Sequence, residues 1–265
     1  MTVVLGVQSI AEEISKFTLS SGGHKSSEAG MCVMEAVSYI AGEEFSAHPE
    51  CACSVITEFM ISFNDSLPDN AARDRWIKPL IPAIVNSRVL RADGLEDESV
   101  LVKRALVAGN AALRWFIPLE LDIAGSFANH IDSVWSVNTT RLTAETAATL
   151  RALPEQTTFE DLIAAADAAN TALTPITEFN YPPVPVDPTW ADRTGIAAIA
   201  ISCVRVDLCD LAEHASCGDA MGVGANAAWD DLANRIDISY FSDLGTHADV
   251  INEARVKVVR GMLAV

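Results

Sequence analysis

Positive charge is scarce in this chain: 18 Lys and Arg stand against 36 Asp and Glu in 265 residues, a formal charge of −18. A protein that neutralises phosphates needs a basic footprint, so this balance argues against direct binding of nucleic acid. Long apolar runs are also missing. The longest, Gly195 to Ser202 with Val204 and Val206 beyond it, falls short of the roughly 18 residues that a membrane span needs. The opening residues carry no basic start, and their apolar character is broken at Gln8 and at Glu12-Glu13, which makes a poor signal peptide. A soluble, cytoplasmic protein is expected. There is no serine elbow, no His-Glu-x-x-His, no dinucleotide fingerprint, no internal repeat and no sustained heptad pattern. No catalytic residue is therefore assigned from motifs.

What is present is apolar material with helical spacing. Half of the residues are hydrophobic and 20% are charged, which excludes wholesale disorder and suffices for one large core or two ordinary ones. The pattern predicts helices over Val7–Phe17, Glu28–Ala41, Ala52–Ser66, Asp69–Lys78, Glu96–Phe116, Pro118–Val137, Thr143–Leu153, Thr158–Leu173, Ala191–Ala215, Gly218–Ile236 and Asp243–Leu263. Ile238–Phe241 is the one candidate strand. The expected fold is all-α, with at most one short strand pair, as a multi-helix orthogonal bundle. Residues 174–190 hold five prolines and read as an extended connector, which separates a helical unit at 1–173 from another at 191–265. The two units can pack as one body.

The densest set of reactive side chains lies near the N-terminus. Glu28, Cys32, Glu35 and Tyr39 follow helical steps and share one face, with His24 just ahead of them. Glu35 is the only charge between Met31 and Gly42, so it must be exposed, paired or proton-shifted. Cys32, His48, Cys51 and Cys53 are residue types that zinc prefers, although Cys51-x-Cys53 is tighter than the usual spacing and has no second pair nearby. The competing reading is structural, with small buried thiols and with His48 and Glu35 holding a loop against a helix. A thiol nucleophile with His24 or His48 as its base is a further alternative.

The stretch from His24 to Glu43, followed by His48-Pro-Glu-Cys, resembles a group of small actinobacterial and actinobacteriophage proteins without an assigned activity. The likeness continues loosely through Phe63–Asp69 and Trp76–Pro82, and so covers roughly residues 20–90. Ser54 stands where that group carries a proline. The resemblance implies an actinobacterial or phage origin, with the host cytoplasm or the virion as location, and transfers no catalytic residue.

A second constellation follows the prolines. Cys203, Asp207, Asp210, His214 and Cys217 step along one helix beside the apolar stripe Val204, Leu208, Leu211 and Ala215. Asp210 and His214 are placed to pair, and Asp207, Asp210, His214 and Cys217 are read as an interface for a partner helix. One straight helix spreads Asp210 and Cys217 about 10 Å apart, which disfavours a catalytic triad. Between Arg151 and Arg193 there are seven acids and no Lys or Arg. Such a segment is a solvated face or a surface for a basic partner. The function expected is that of a non-enzymatic, acidic helical interaction protein that forms homo-oligomers and binds a protein partner. The alternatives are a zinc domain or metal-dependent enzyme built on Cys32, His48, Cys51 and Cys53, and a DNA mimic that inhibits a DNA-binding protein. No cofactor is expected apart from that zinc.

Overall fold

The structure is a computed structural model that describes residues 7–128, 134–177, 188–228 and 244–265. The chain forms an all-α bundle, and among the described residues the only β-type pairing is a single bridge, Leu90 to Glu96. The candidate strand Ile238–Phe241 and residues 178–187 of the proline run lie outside the described residues.

The chain divides into two compact units, and the division does not follow chain order. The first contains Met1–Ala108, Ala220–Trp229 and Phe241–Val265; the second contains Gly109–Asp219 and Asp230–Tyr240. Neither unit begins or ends within residues 174–190, where the sequence reading placed the boundary. The last segments of the chain return to the first unit rather than forming a unit of their own.

The first unit is built on α1 (Val7–Ile14), α2 (Val33–Ala41), α3 (Ser54–Ser66), α4 (Asn70–Trp76), the short α5 (Ile81–Ile84) and most of α6 (Glu98–Ala111). The later helices α11 (Ala220–Ala228) and α12 (Leu244–Ala264) complete it. Its core is apolar side chains on successive turns of α3, where Ile56, Phe59, Met60 and Phe63 are fully buried. The Phe59 and Phe63 rings meet edge to face, with centroids 6.4 Å apart. Each such side chain contributes about 1.5–3 kcal/mol by leaving water. α11 lies against α3, and Gly224 explains how close it comes: a Cβ there would stand 2.9 Å from Val55 Cγ1 and 3.0 Å from the Val55 carbonyl.

Buried arginines tie this unit together. Pro68 follows the end of α3, and the carbonyls left over there are taken by Arg73, whose Nε donates to Asn64 O at 3.0 Å and Nη2 to Leu67 O at 2.6 Å. Arg104 on α6 donates to Met262 O at 2.9 Å and Ser87 O at 2.7 Å, joining α6 to α12 and to the turn after α5.

The second unit contains α7 (Ile117–Ala128), α8 (Val134–Ala152), α9 (Phe159–Thr177) and α10 (Pro188–Ser216). Its core includes Leu121, Leu150, Leu162, Leu173, Ile201, Val204 and Leu208. A π-helical turn, Ala112–Phe116, leads into α7. Pro118 has no N–H to give to Arg114 O, so the helix widens there instead of stopping, where the sequence reading placed a break.

Three further expectations are corrected. α8 begins at Val134, so Val134–Val137 belong to it and not to the preceding helix. Pro175 sits inside the last turn of α9, and Pro188 is the first residue of α10. Both positions are tolerated, the second because an N-terminal proline gives up an amide that has no partner in the helix. Residues 174–177 and 188–190, expected to be extended, are therefore helical. Lastly, α2 starts at Val33 and not at Glu28, for a reason that lies in the site.

Candidate functional site

Residues 17–32 form a loop that leads into α2, and Glu35 organises it. The Glu35 side chain turns back over the helix start and accepts from Cys32 N–H at 2.8 Å, while Glu35 N–H points to Cys32 Sγ at 3.5 Å. This is a capping box with cysteine in the place of serine, and it sets the first turn of α2. Glu28 therefore lies outside the helix, exposed, and does not share a face with Cys32, Glu35 and Tyr39. Tyr39 is exposed on the helix and packs edge to face on Phe17, centroids 6.3 Å apart.

The carboxylate does more than cap. Glu35 Oε1 accepts from His24 N–H at 2.7 Å, and Oε2 lies 2.8 Å from His24 Nδ1. The other ring nitrogen, Nε2, lies 3.0 Å from Ser20 Oγ. Ser20, His24 and Glu35 thus stand in line: hydroxyl, imidazole, carboxylate. Glu35 is 2% exposed, and burial alone pushes its carboxyl up. The hydrogen bonds from His24 N–H, Cys32 N–H and the His24 ring together outweigh burial and hold the group below the usual carboxylate range. An ionised Glu35 accepts from the Nδ1 side of the His24 ring and leaves Nε2 facing Ser20 Oγ, whose hydroxyl also reaches Met31 O at 3.4 Å.

The main chain closes the same loop independently. Ser20 N–H donates to Met31 O at 2.9 Å, Leu19 N–H to Asp74 Oδ1 at 2.9 Å, and Gly22 N–H to Asp65 Oδ1 at 3.1 Å. Asn64, buried on α3, donates to Ser20 O at 3.2 Å and accepts from Val33 N–H at 3.2 Å.

The four residues read as zinc ligands are spread over separate tasks. Cys32 caps α2; burial pushes its thiol up to about 11. Cys53 is fully buried at the start of α3, with its N–H held by Ser87 Oγ at 3.0 Å. Cys51 is half-buried, and its thiol and that of Cys53 are also raised by burial. His48 is exposed, with Nδ1 3.5 Å from Glu58 Oε1. Among the described residues, no group of three or more His, Cys, Asp or Glu is placed to hold a metal ion.

In the second unit, His214 does not take Asp210 as its partner. Its Nδ1 lies 3.1 Å from Asp219 Oδ2, because the chain turns back just beyond Ser216 and brings Asp219 to the end of α10. Asp207 is buried; Asp210 and Cys217 are exposed. Cys203 lies on α10, and the placement of its side chain is outside the described residues. Residues 109–219 carry 15 Asp and Glu against five Arg and no Lys. Three of those arginines already have partners: Arg141 pairs with Glu145, Arg151 with Asp122, and Arg205 donates to Asn170 Oδ1 at 2.7 Å. Glu160 and Asp167 on α9, and Asp210 and Glu213 on α10, are exposed.

Comparison of the chain with family models, curated proteins and solved structures finds no match. No helix among the described residues is long and apolar enough to cross a membrane.

Ser20 and Gly30 had no place among the sequence candidates. The available signal was Ser20-x3-His24 inside a glycine-bearing loop, a spacing without meaning until Glu35 is known to fold back.

Proposed function

We propose that this protein is an acidic helical docking protein whose paired helices α9 and α10 receive a basic protein partner. The carboxylate excess of residues 109–219 carries this reading. Arg141 and Arg151 are paired with Glu145 and Asp122 within the unit. The exposed carboxylates Glu160, Asp167, Asp210 and Glu213 of α9 and α10 give the unit a net negative field, and such a field speeds and orients the approach of a cationic surface. Self-association belongs to the same reading, as does the actinobacterial or phage source implied by the N-terminal resemblance.

A lysine-rich peptide titrated by calorimetry tests it. Binding is expected to weaken steeply as salt rises. It should also fall about tenfold or more in a Glu160→Gln, Asp167→Asn, Asp210→Asn, Glu213→Gln variant, and stay near the starting value when Glu12, Glu28, Asp93 and Glu98 of the first unit are neutralised instead. Equal losses in both variants would remove the assignment to α9 and α10. Sedimentation of the unliganded chain reads self-association, and a monomer at all concentrations would remove that element.

A further inference from the structure

We infer that Ser20 is a nucleophile for acyl transfer, with His24 as its base, Glu35 as the group that orients the base, and a short-chain carboxylic ester as the substrate class. The site lies in the first unit, so this goes beyond the docking role and does not depend on it.

Geometry carries the inference. Ser20 Oγ is 3.0 Å from His24 Nε2, and the opposite nitrogen is 2.8 Å from Glu35 Oε2. A hydroxyl on one imidazole nitrogen and a carboxylate on the other is the arrangement by which a serine loses its proton to the ring as it attacks. Three observations set it apart from a hydrogen-bonded surface serine. The carboxylate is buried and held by two backbone N–H groups besides the ring, so the base has a fixed orientation. Gly30 packs against the Nε2 edge of the ring, where a Cβ would come within 2.7 Å of Cδ2, 2.8 Å of Nε2 and 2.8 Å of Ser20 Oγ, so the hydroxyl and the ring nitrogen are held side by side. The main-chain bonds from Leu19, Ser20 and Gly22 already close the loop, so the Ser20–His24 side-chain contact adds a path for a proton that closure does not require. The His24 side chain keeps 14% of its surface open, and Ser20 is half-buried.

The reaction balances without any further reagent than water. Ser20 Oγ bonds to the ester carbonyl carbon and its proton passes to His24 Nε2. The C–O bond to the alcohol breaks, and the departing alkoxide takes that proton. Water then adds to the acyl-serine, giving a proton to Nε2. The acid leaves, and the serine oxygen regains its hydrogen.

The test is incubation of the full chain with p-nitrophenyl acetate, with peptide mapping of the acetyl adduct and measurement of p-nitrophenol release. An adduct on Ser20 is expected. Ser20→Ala should lower release about tenfold or more, while Ser21→Ala, which alters an exposed neighbouring hydroxyl, should leave it unchanged. Acetyl groups found only on lysine or tyrosine, or equal release from the Ser20→Ala protein, would overturn the inference. Mapping on the unaltered chain decides the matter even if Ser20→Ala does not fold.

Discussion

Gly30 lies against the imidazole of His24 with no room for a methyl group between them: its φ is +132°, and a Cβ would sit 2.7 Å from Cδ2 of the ring. Backbone conformation and contact demand glycine together. Gly30→Ala is expected to cost about 1–3 kcal/mol from the backbone alone, and more if the ring cannot move. Chemical denaturation would measure the loss. A variant as stable as the parent, with the His24 resonances unshifted, would contradict this packing.

Glu35 predicts how stability depends on acid. Its folded pKa is depressed, so its contribution is complete above the unfolded value of about 4.3 and is lost as pH falls through the lower folded value. Glu35→Gln should cost about 2–3 kcal/mol at pH 7, because an amide NH2 would face the donors that the carboxylate accepts. The gap between parent and variant should close as the pH drops below 4. Parallel stability curves down to pH 2 would show that the carboxylate is not what the loop depends on.

Thiol reactivity should divide by position. Cys209 and Cys217 are exposed, whereas Cys32 and Cys53 are buried with raised pKa values. Iodoacetamide at pH 8 should modify the first pair in the native protein and the second only after unfolding, since the thiolate is the reactive form. For Cys32 the sign runs opposite to Glu35: a folded value of about 11 lies above the unfolded one, so its stabilising effect is whole below about pH 8.5 and disappears as pH climbs towards 11. Peptide mapping of labelled protein reads this, and native labelling of Cys32 ahead of Cys217 would refute it.

Arg104→Ala should be among the most damaging single changes. It strands two buried carbonyls, Ser87 O and Met262 O, and opens a void where α6 meets α12. A loss of about 3–5 kcal/mol is expected in thermal or denaturant unfolding. A loss under about 1 kcal/mol would mean that water replaces the guanidinium without difficulty.

The helices were legible in the sequence because an apolar stripe repeating every three or four residues has one good burial. Phe59 and Phe63 on α3, or Val258, Val259 and Met262 on α12, could hardly face elsewhere. The helix start near Glu28 was misplaced because a capping box is normally sought with serine or threonine, and here a cysteine fills the role before Glu35. His24 and Glu35 were singled out; their contact was not, since it depends on a loop whose path is set by Asn64, Asp65 and Asp74 far along the chain. Pairing Asp210 with His214 failed for the converse reason. Helical spacing permits it, but Asp219 arrives from outside the helix.

The seat of Gly224 on Val55 has a bearing on synthesis. Val55 leaves the ribosome roughly 170 residues ahead of its partner, a delay on the order of 10–30 s at ordinary elongation rates. Throughout that interval the α3 surface destined for α11 is bare and sticky. A nascent chain of this protein is thus a natural client for holding chaperones, and stalling translation before codon 220 should yield an aggregate where release of the full chain yields a folded first unit.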